Sequence, residues 1–171
     1  MIRLLLVLVL ALASTATTVR ADDGDDEHRT PFDRGRFNVT AGAGTTSSLG
    51  ERHFAIGGAV GYFVLDGLAL GVGLQHQFGD PSISLVSPEV RYVVQPLVGR
   101  SPLVPYVGGF YSHWFVGAPF SDVDTIGGRG GLLYVSGQLV LGLGVAYEHV
   151  VSACTENCDS IYPDLTIAIA L

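Results

Sequence analysis

The chain contains no lysine, and its nine basic residues are all arginine. With no basic run or patch, it lacks the electrostatic footprint of a nucleic-acid-binding protein. Charge of either sign is scarce: 15% of the 171 residues are charged, against about 25% in an ordinary soluble chain. Two cysteines are too few for a disulfide framework or a cysteine-rich zinc module. A long apolar run is missing too. The run Leu4 to Ala13 is ten residues, and a membrane-spanning helix takes about 20.

That run follows Arg3 and leads to Val19 and Ala21, small residues at the −3 and −1 positions of a cleavage site. Residues 1–21 therefore read as a signal peptide cut before Asp22; a retained anchor would need a longer run. Residues 22–35 open with "DDGDDEH", which holds five of the sixteen acids behind the net charge of −7. They read as an acidic, flexible lead-in, since the run lacks the spaced ligands and closing Glu of a calcium loop. Residues 36–171 form the remaining domain.

Glycine and aliphatic residues dominate that domain. Glycine numbers 23 in the chain and mean hydropathy is +0.42. Glycines dispersed through apolar segments argue against helices, where each costs about 1 kcal/mol relative to Ala. The periodicity agrees. In residues 68–78, Leu68, Leu70, Val72, Leu74, His76 and Phe78 fall on one side and Ala69, Gly71, Gly73, Gln75 and Gln77 on the other. Residues 139–149 split likewise into Leu139, Leu141, Leu143, Val145 and Tyr147 against Val140, Gly142, Gly144, Ala146 and Glu148. So does the C-terminal stretch, with Leu165, Ile167, Ile169 and Leu171 opposed to Asp164, Thr166, Ala168 and Ala170. A period of two is the period of a strand.

Extended over the domain, the pattern predicts strands near 36–46, 52–63, 67–78, 82–95, 103–116, 125–134, 138–149 and 162–171. Alternation is poor in 82–95 and 103–116, where bulges at Pro88 or Gly108-Gly109 are expected. Strands of about ten residues suit a tilted transmembrane strand, which needs about 9 to 11. The facing settles the environment. A soluble ligand-binding barrel keeps bulky aliphatics inside, whereas here charged and small residues share one face and bulky aliphatics take the other. Only lipid on the outside makes that favourable. A β-sandwich export domain is the soluble rival. The fold expected is an all-β, eight-stranded antiparallel up-and-down transmembrane β-barrel. Its connections "VLDG", "PLVGRSP" and "VSGQ" lie at one end, in the periplasm, and the more polar loops lie outside.

The stretches "GGAVGYFVLDGLALGVGL" (57–74) and "GGRGGLLYVSGQLVLGLGVAYEH" (127–149) resemble the hairpins of small OmpA-like and opacity-protein-like outer-membrane β-barrels. The resemblance covers nearly the whole mature chain, and its motifs speak for architecture rather than activity. It implies the outer membrane of a Gram-negative bacterium, outer-membrane lipid and lipopolysaccharide as surroundings, the barrel-assembly machinery as a partner in biogenesis, and a monomer without cofactors. Two departures stand out: the chain ends in Leu171 where such barrels end in an aromatic, and no peptidoglycan-binding domain follows.

Charges pointing inward are the most informative residues, because an unpaired charge in a packed lumen is costly. By alternation Arg36, Glu89, Arg91, Arg129, Glu148 and Asp164 face the lumen, and Glu–Arg pairs among them are expected to plug it. The functional counterpart is a narrow channel whose pairs rearrange to pass ions. Cys154 and Cys158, in "ACTENCDS", read as a small loop disulfide of an exported chain. His53, His76, His113 and His149 fall near outer strand ends, where interfacial placement accounts for them better than metal binding. Tyr62, Phe63, Tyr92, Tyr106, Tyr134, Tyr147, Phe54 and Trp114 fit aromatic girdles. A lipid A hydrolase is the enzymatic rival, with Ser112-His113 or Glu148, His149 and Ser152 as its nearest candidates. Ser112 and His113, adjacent on a strand, point to opposite faces. "GAGTTSSLGE" and "GGRGG" lack the Lys and the following helix of a phosphate loop. The role expected is structural or surface-interacting, without catalysis.

Overall fold

A computed structural model describes residues 30–48, 51–94, 101, 103–152, 154 and 158–171. The segment read as a signal peptide, residues 1–21, and the acidic run 22–28 lie outside the described residues. Eight strands follow one another: β1 (Phe37–Ser48), β2 (Glu51–Leu65), β3 (Leu68–Phe78), β4 (Ile83–Val93), β5 (Leu103–Val116), β6 (Val123–Ser136), β7 (Leu139–Val150) and β8 (Asp159–Ala170). Each pairs antiparallel with its neighbour in sequence, and β8 returns to β1 to close a barrel. This is the expected eight-stranded up-and-down barrel. Its strands run from 11 to 15 residues, and β8 begins three residues before the expected start.

Alternation sorts the side chains as the sequence pattern indicates. On β7, Leu143 is 65% exposed while Ala146, facing the lumen, is 1% exposed. On β3, Leu70, Val72, Leu74 and Phe78 face outward and Ala69 and Gln77 are buried. The outer wall is thus a continuous aliphatic and aromatic surface, with the ring pairs Phe37–Tyr62 and Phe54–Phe78 at opposite ends of the β1–β2–β3 wall.

The expected bulges are corrected. Strands β4 and β5 hold one register on both sides of Pro88, and β5 and β6 hold one register through Gly108-Gly109. Alternation is hard to see there because β5 carries large residues on both faces: Tyr106, Phe110 and Trp114 inward, Val107, Tyr111 and Phe115 outward. The register shift lies instead between Phe63 and Leu65, where β2 carries Val64 as an extra residue beside β3. The turn that follows is Asp66-Gly67. Gly67 takes φ +78°, a left-handed conformation that glycine adopts without strain. Gly137, φ +60°, does the same in the β6–β7 turn. These tight turns define one end of the barrel, the turn end; the β3–β4, β5–β6 and β7–β8 connections define the loop end.

Residues 30–35, the last of the stretch read as a flexible lead-in, are packed into the turn end. Phe32 is 3% exposed and its ring meets that of Phe63 edge-on at 5.7 Å. The segment is pinned by Gly67 N–H to Phe32 O (2.8 Å), Gly35 N–H to Phe63 O (2.8 Å) and Arg34 N–H to the Asp66 carboxylate (2.8 Å). Phe32, Phe63, Val93, Val104, Leu133 and Val140 form an apolar floor across the lumen. The residual cavity among them is about 10 Å³, room for at most a single water.

Candidate functional site

Above the floor the lumen is crossed by a belt of charges. Glu89 and Arg91 stand two apart on β4, so they share the inward face, and the Arg91 guanidinium lies 3.2 Å from Glu89 Oε1. Arg129 on β6 reaches both neighbours across the lumen, with its Nη1 3.4 Å from Glu89 Oε2 and 3.8 Å from Asp164 Oδ1 on β8. The Tyr106 hydroxyl donates to Asp164 Oδ2 at 2.7 Å. It reaches that point because the facing position on β7 is Gly144: a Cβ there would come within 2.6 Å of the Tyr106 oxygen. Both guanidiniums also lie over rings, Arg91 over Tyr106 at 5.6 Å and Arg129 over Phe110 at 4.6 Å, a placement that cation–π attraction favours.

Glu148 sits toward the loop end. One of its oxygens accepts a short hydrogen bond from Thr125 and the other accepts from the Tyr162 hydroxyl at 3.1 Å. Of the six residues read as an interior polar network, the structure brings together Glu89, Arg91, Arg129 and Asp164 by ion pairs and holds Glu148 nearby through neutral partners. Arg36 stands apart: it precedes β1, its backbone bonds to Asp33 and Phe63, and among the described residues it makes no ion pair. Among the described residues, the strands thus set three inward carboxylates against two guanidiniums. The Nε–H groups of Arg91 and Arg129 are buried without a partner among the described residues.

The loop end carries a feature that sequence reading passed over. On the outer face, the Asp124 carboxylate lies 2.6 Å from His113 Nδ1 and also accepts from the Tyr111 hydroxyl. The Asp159 carboxylate lies 2.7 Å from His149 Nδ1 and accepts from the Tyr147 hydroxyl at 2.5 Å. The two clusters are copies of one pattern, Tyr-x-His on an odd-numbered strand with Asp directly across on the next. The repeated spelling "YSH" and "YEH" is its signal. His53 points inward, with Nε2 3.1 Å from Pro81 O, and His76 Nδ1 lies 2.9 Å from Ser84 Oγ. Among the described residues no three His, Cys, Asp or Glu converge as a metal site.

The hydrolase candidates do not assemble. Ser112 Oγ meets Ser87 Oγ inside the lumen at 3.0 Å while His113 faces outward. Ser152 Oγ accepts the Asp124 N–H at 3.1 Å, and no hydrogen bond joins it to His149 among the described residues. Cys154 and Cys158 lie in the β7–β8 connection with their sulfurs 2.04 Å apart, a disulfide.

No protein-family model and no curated protein matches the chain. Among solved structures, it is similar to the N-terminal β-barrel domain of Pseudomonas aeruginosa OprF, with 16% identity and a TM-score of 0.54 over 81% of this chain and 98% of that domain. Neisserial surface protein A matches at 19% identity and TM-score 0.48, over 80% and 94% of the two chains. The outer membrane protein OprG from Pseudomonas aeruginosa matches at 14% and 0.44, over 81% and 97%. At such identities the likeness to the OprF domain is one of fold, and it is the eight-stranded barrel that the two chains have in common.

Proposed function

We propose that the chain is an outer-membrane β-barrel of a double-membraned bacterium that serves envelope structure or surface interaction, without catalysis and with its lumen closed to ions. The outer wall supports the membrane placement. An exterior of Leu, Val, Ile, Phe and Tyr from one end to the other would be an aggregation surface in water, and a closed barrel leaves lipid no unpaired backbone where its ladders are complete. The turn end then faces the periplasm, and the loop end, with the disulfide, faces outward among lipopolysaccharide.

One observation carries the closed lumen: two different barriers lie in series, the apolar floor anchored by Phe32 and the belt centred on Arg129. Passing an ion requires separating the belt's pairs and hydrating a floor with room for about one water.

Two experiments test the reading. Cell fractionation with gel mobility before and after boiling should place the protein with outer membranes and show the shift of a folded barrel. Planar bilayers containing the purified protein should then show no reproducible conductance steps. Regular steps would favour the narrow channel, and recovery in the soluble periplasmic fraction would refute the membrane placement.

A further inference from the structure

The barrel is closed unevenly. Seven of the eight strand pairs are laddered along most of their length, whereas β1 and β8 pair only at Asn38–Ala170, Val39–Ile169 and Thr40–Ala168, with Phe37 and Leu171 exchanging one further pair of hydrogen bonds. From Ala41 to Ser48 on β1 and from Asp159 to Ile167 on β8, the seam is unpaired among the described residues. For a tilted strand this is an opening about 20 Å tall, enough to span the roughly 15 Å of one leaflet's hydrocarbon.

The direction of the backbone groups shows that the opening is built in. Ala170 N–H bonds to β7, at Gln138, and Leu171 N–H bonds to β1, at Phe37. Register along β7–β8 is unbroken, so the odd residues of β8 aim their N–H groups at β1. One of them is Pro163, which has no N–H. A continued register would set it against Thr45, at the middle of the gap. Proline on an edge is a device against strand addition, so Pro163 disfavours both a full ladder to β1 and pairing with a second copy of this chain.

Chemistry on the two sides names the occupant. Outside, Ile161 and Leu165 are each 74% exposed, more than any other large apolar side chain described, because no neighbouring strand covers their flank. A continued register would set Ala43 against Leu165, with Ala41 next to it on the outer face and both exposed, and on the inner face a Cβ on Gly42 would meet nothing within 4 Å. Inside, the first groups behind the gap are Tyr162, which is 37% exposed although it faces the lumen, Glu148 and Asp164. Non-helical, unpaired backbone at membrane depth is tolerated where it borders a water-filled cavity.

We propose that the loop-end half of the β1–β8 seam is a lateral portal, occupied by a single-chain amphiphile whose tail lies in the outer leaflet and whose head group sits in the upper lumen beside Tyr162 and Glu148. Because carboxylates outnumber guanidiniums there among the described residues, the head presents a positive group, as a zwitterionic choline head does, and is not purely anionic. The proposal rests on the outer-membrane reading above and does not require conduction, since the belt and floor close the lumen below the site.

The test uses the folded protein in phosphatidylcholine nanodiscs loaded with a lysophosphatidylcholine carrying one diazirine on its head group and one in its tail, with photo-adducts mapped by mass spectrometry. Head-group adducts are expected on inward-facing Tyr162 and Glu148, and tail adducts on outward Leu143. An Ala43→Cys/Leu165→Cys disulfide across the seam should reduce the inward adducts at least tenfold and leave Leu143 labelling unchanged. Pro163→Thr, which supplies the missing donor, should act in the same direction without an added covalent bond. Adducts confined to outward residues, or inward adducts indifferent to both variants, would overturn the portal. Cysteines that bridge two molecules instead of one would make a second copy the occupant. Equal inward labelling by a diazirine fatty acid would overturn the head-group assignment. Absence of adducts even at Leu143 would sink the membrane reading itself, and the portal with it.

Discussion

Replacing Arg129 by Met keeps an unbranched side chain against Phe110 and removes the cation that, among the described residues, ties β4 to β8 across the lumen. The belt then holds two carboxylates and one guanidinium. Glu89 retains Arg91 at 3.2 Å and Asp164 retains the Tyr106 hydroxyl at 2.7 Å, so neither is left without any partner. At an effective dielectric of about 20, a pair at such separations is worth roughly 4 to 5 kcal/mol before desolvation is counted. Breaking a buried pair costs about 3 to 5 kcal/mol. Because both carboxylates keep a second contact, we expect the lower end, about 3 kcal/mol. The assay is urea unfolding in lipid vesicles, followed through Trp114, the sole tryptophan of the chain, whose indole donates to Thr125 on β6. Adding Asp164→Asn to Arg129→Met removes the carboxylate that lost its cation and should recover about half of the loss. A single-variant loss under about 1 kcal/mol would mean that water screens the belt as it does a surface pair. Strict additivity in the double variant would mean that Arg129 and Asp164 do not interact. Either result refutes the belt as an electrostatic closure.

Other consequences are quicker to check. Phe32→Ala empties the floor and should cost about 3 to 5 kcal/mol by vesicle unfolding; with the belt intact, bilayers should still show no conductance. Gly144→Val places a side chain where the Tyr106 hydroxyl lies and should cost about 1 to 3 kcal/mol, while Gly137→Ala, at a turn with φ +60° and open space around it, should cost about 1 kcal/mol. Cys154→Ser removes a bridge of sequence separation 4, whose loop-closure contribution is about 2 kcal/mol or less, so the gel shift on boiling should survive.

Most of the wall was legible because lipid and lumen make opposite demands on successive residues. In β3, β7 and β8 the bulky and small residues separate cleanly, and the parity read from them is the parity observed. In β5 the code fails, since Tyr106 and Phe110 fill the lumen with the same residue types that face lipid at Tyr111 and Phe115. Parity placed the belt residues on the inner face but said nothing of which would meet. That depends on the stagger between β4, β6 and β8, which sets Arg129 level with both Glu89 and Asp164. Arg36 shows the limit of parity at a strand's start: β1 begins one residue later, and Arg36 belongs to the segment that carries Phe32. The seam was invisible for a different reason. β8 alternates normally because its ladder to β7 is complete, and only the partner on the other side is missing.

That missing ladder leaves a signature readable without any ligand. On β8 the even residues Tyr162, Asp164 and Thr166 aim their N–H groups at β7 and are laddered to it, whereas Ile161, Leu165 and Ile167 aim theirs into the gap. Amide hydrogen exchange, measured residue by residue on the folded barrel in micelles, should alternate along this half of β8. The odd amides should exchange at rates near those of frayed edges and the even ones should be protected by several orders of magnitude. Beyond Ile167 the alternation should vanish, because Ile169 is paired to Val39 and both parities are then bonded. In Pro163→Thr the odd amides should become protected together, since a restored donor lets the ladder continue from the three existing rungs toward the loop end. Uniform protection in the unaltered protein would mean that the seam is zipped in solution. Uniform exchange of both parities would mean that β8 is frayed as a whole, and neither state could present an aliphatic flank to lipid over a fixed polar lumen.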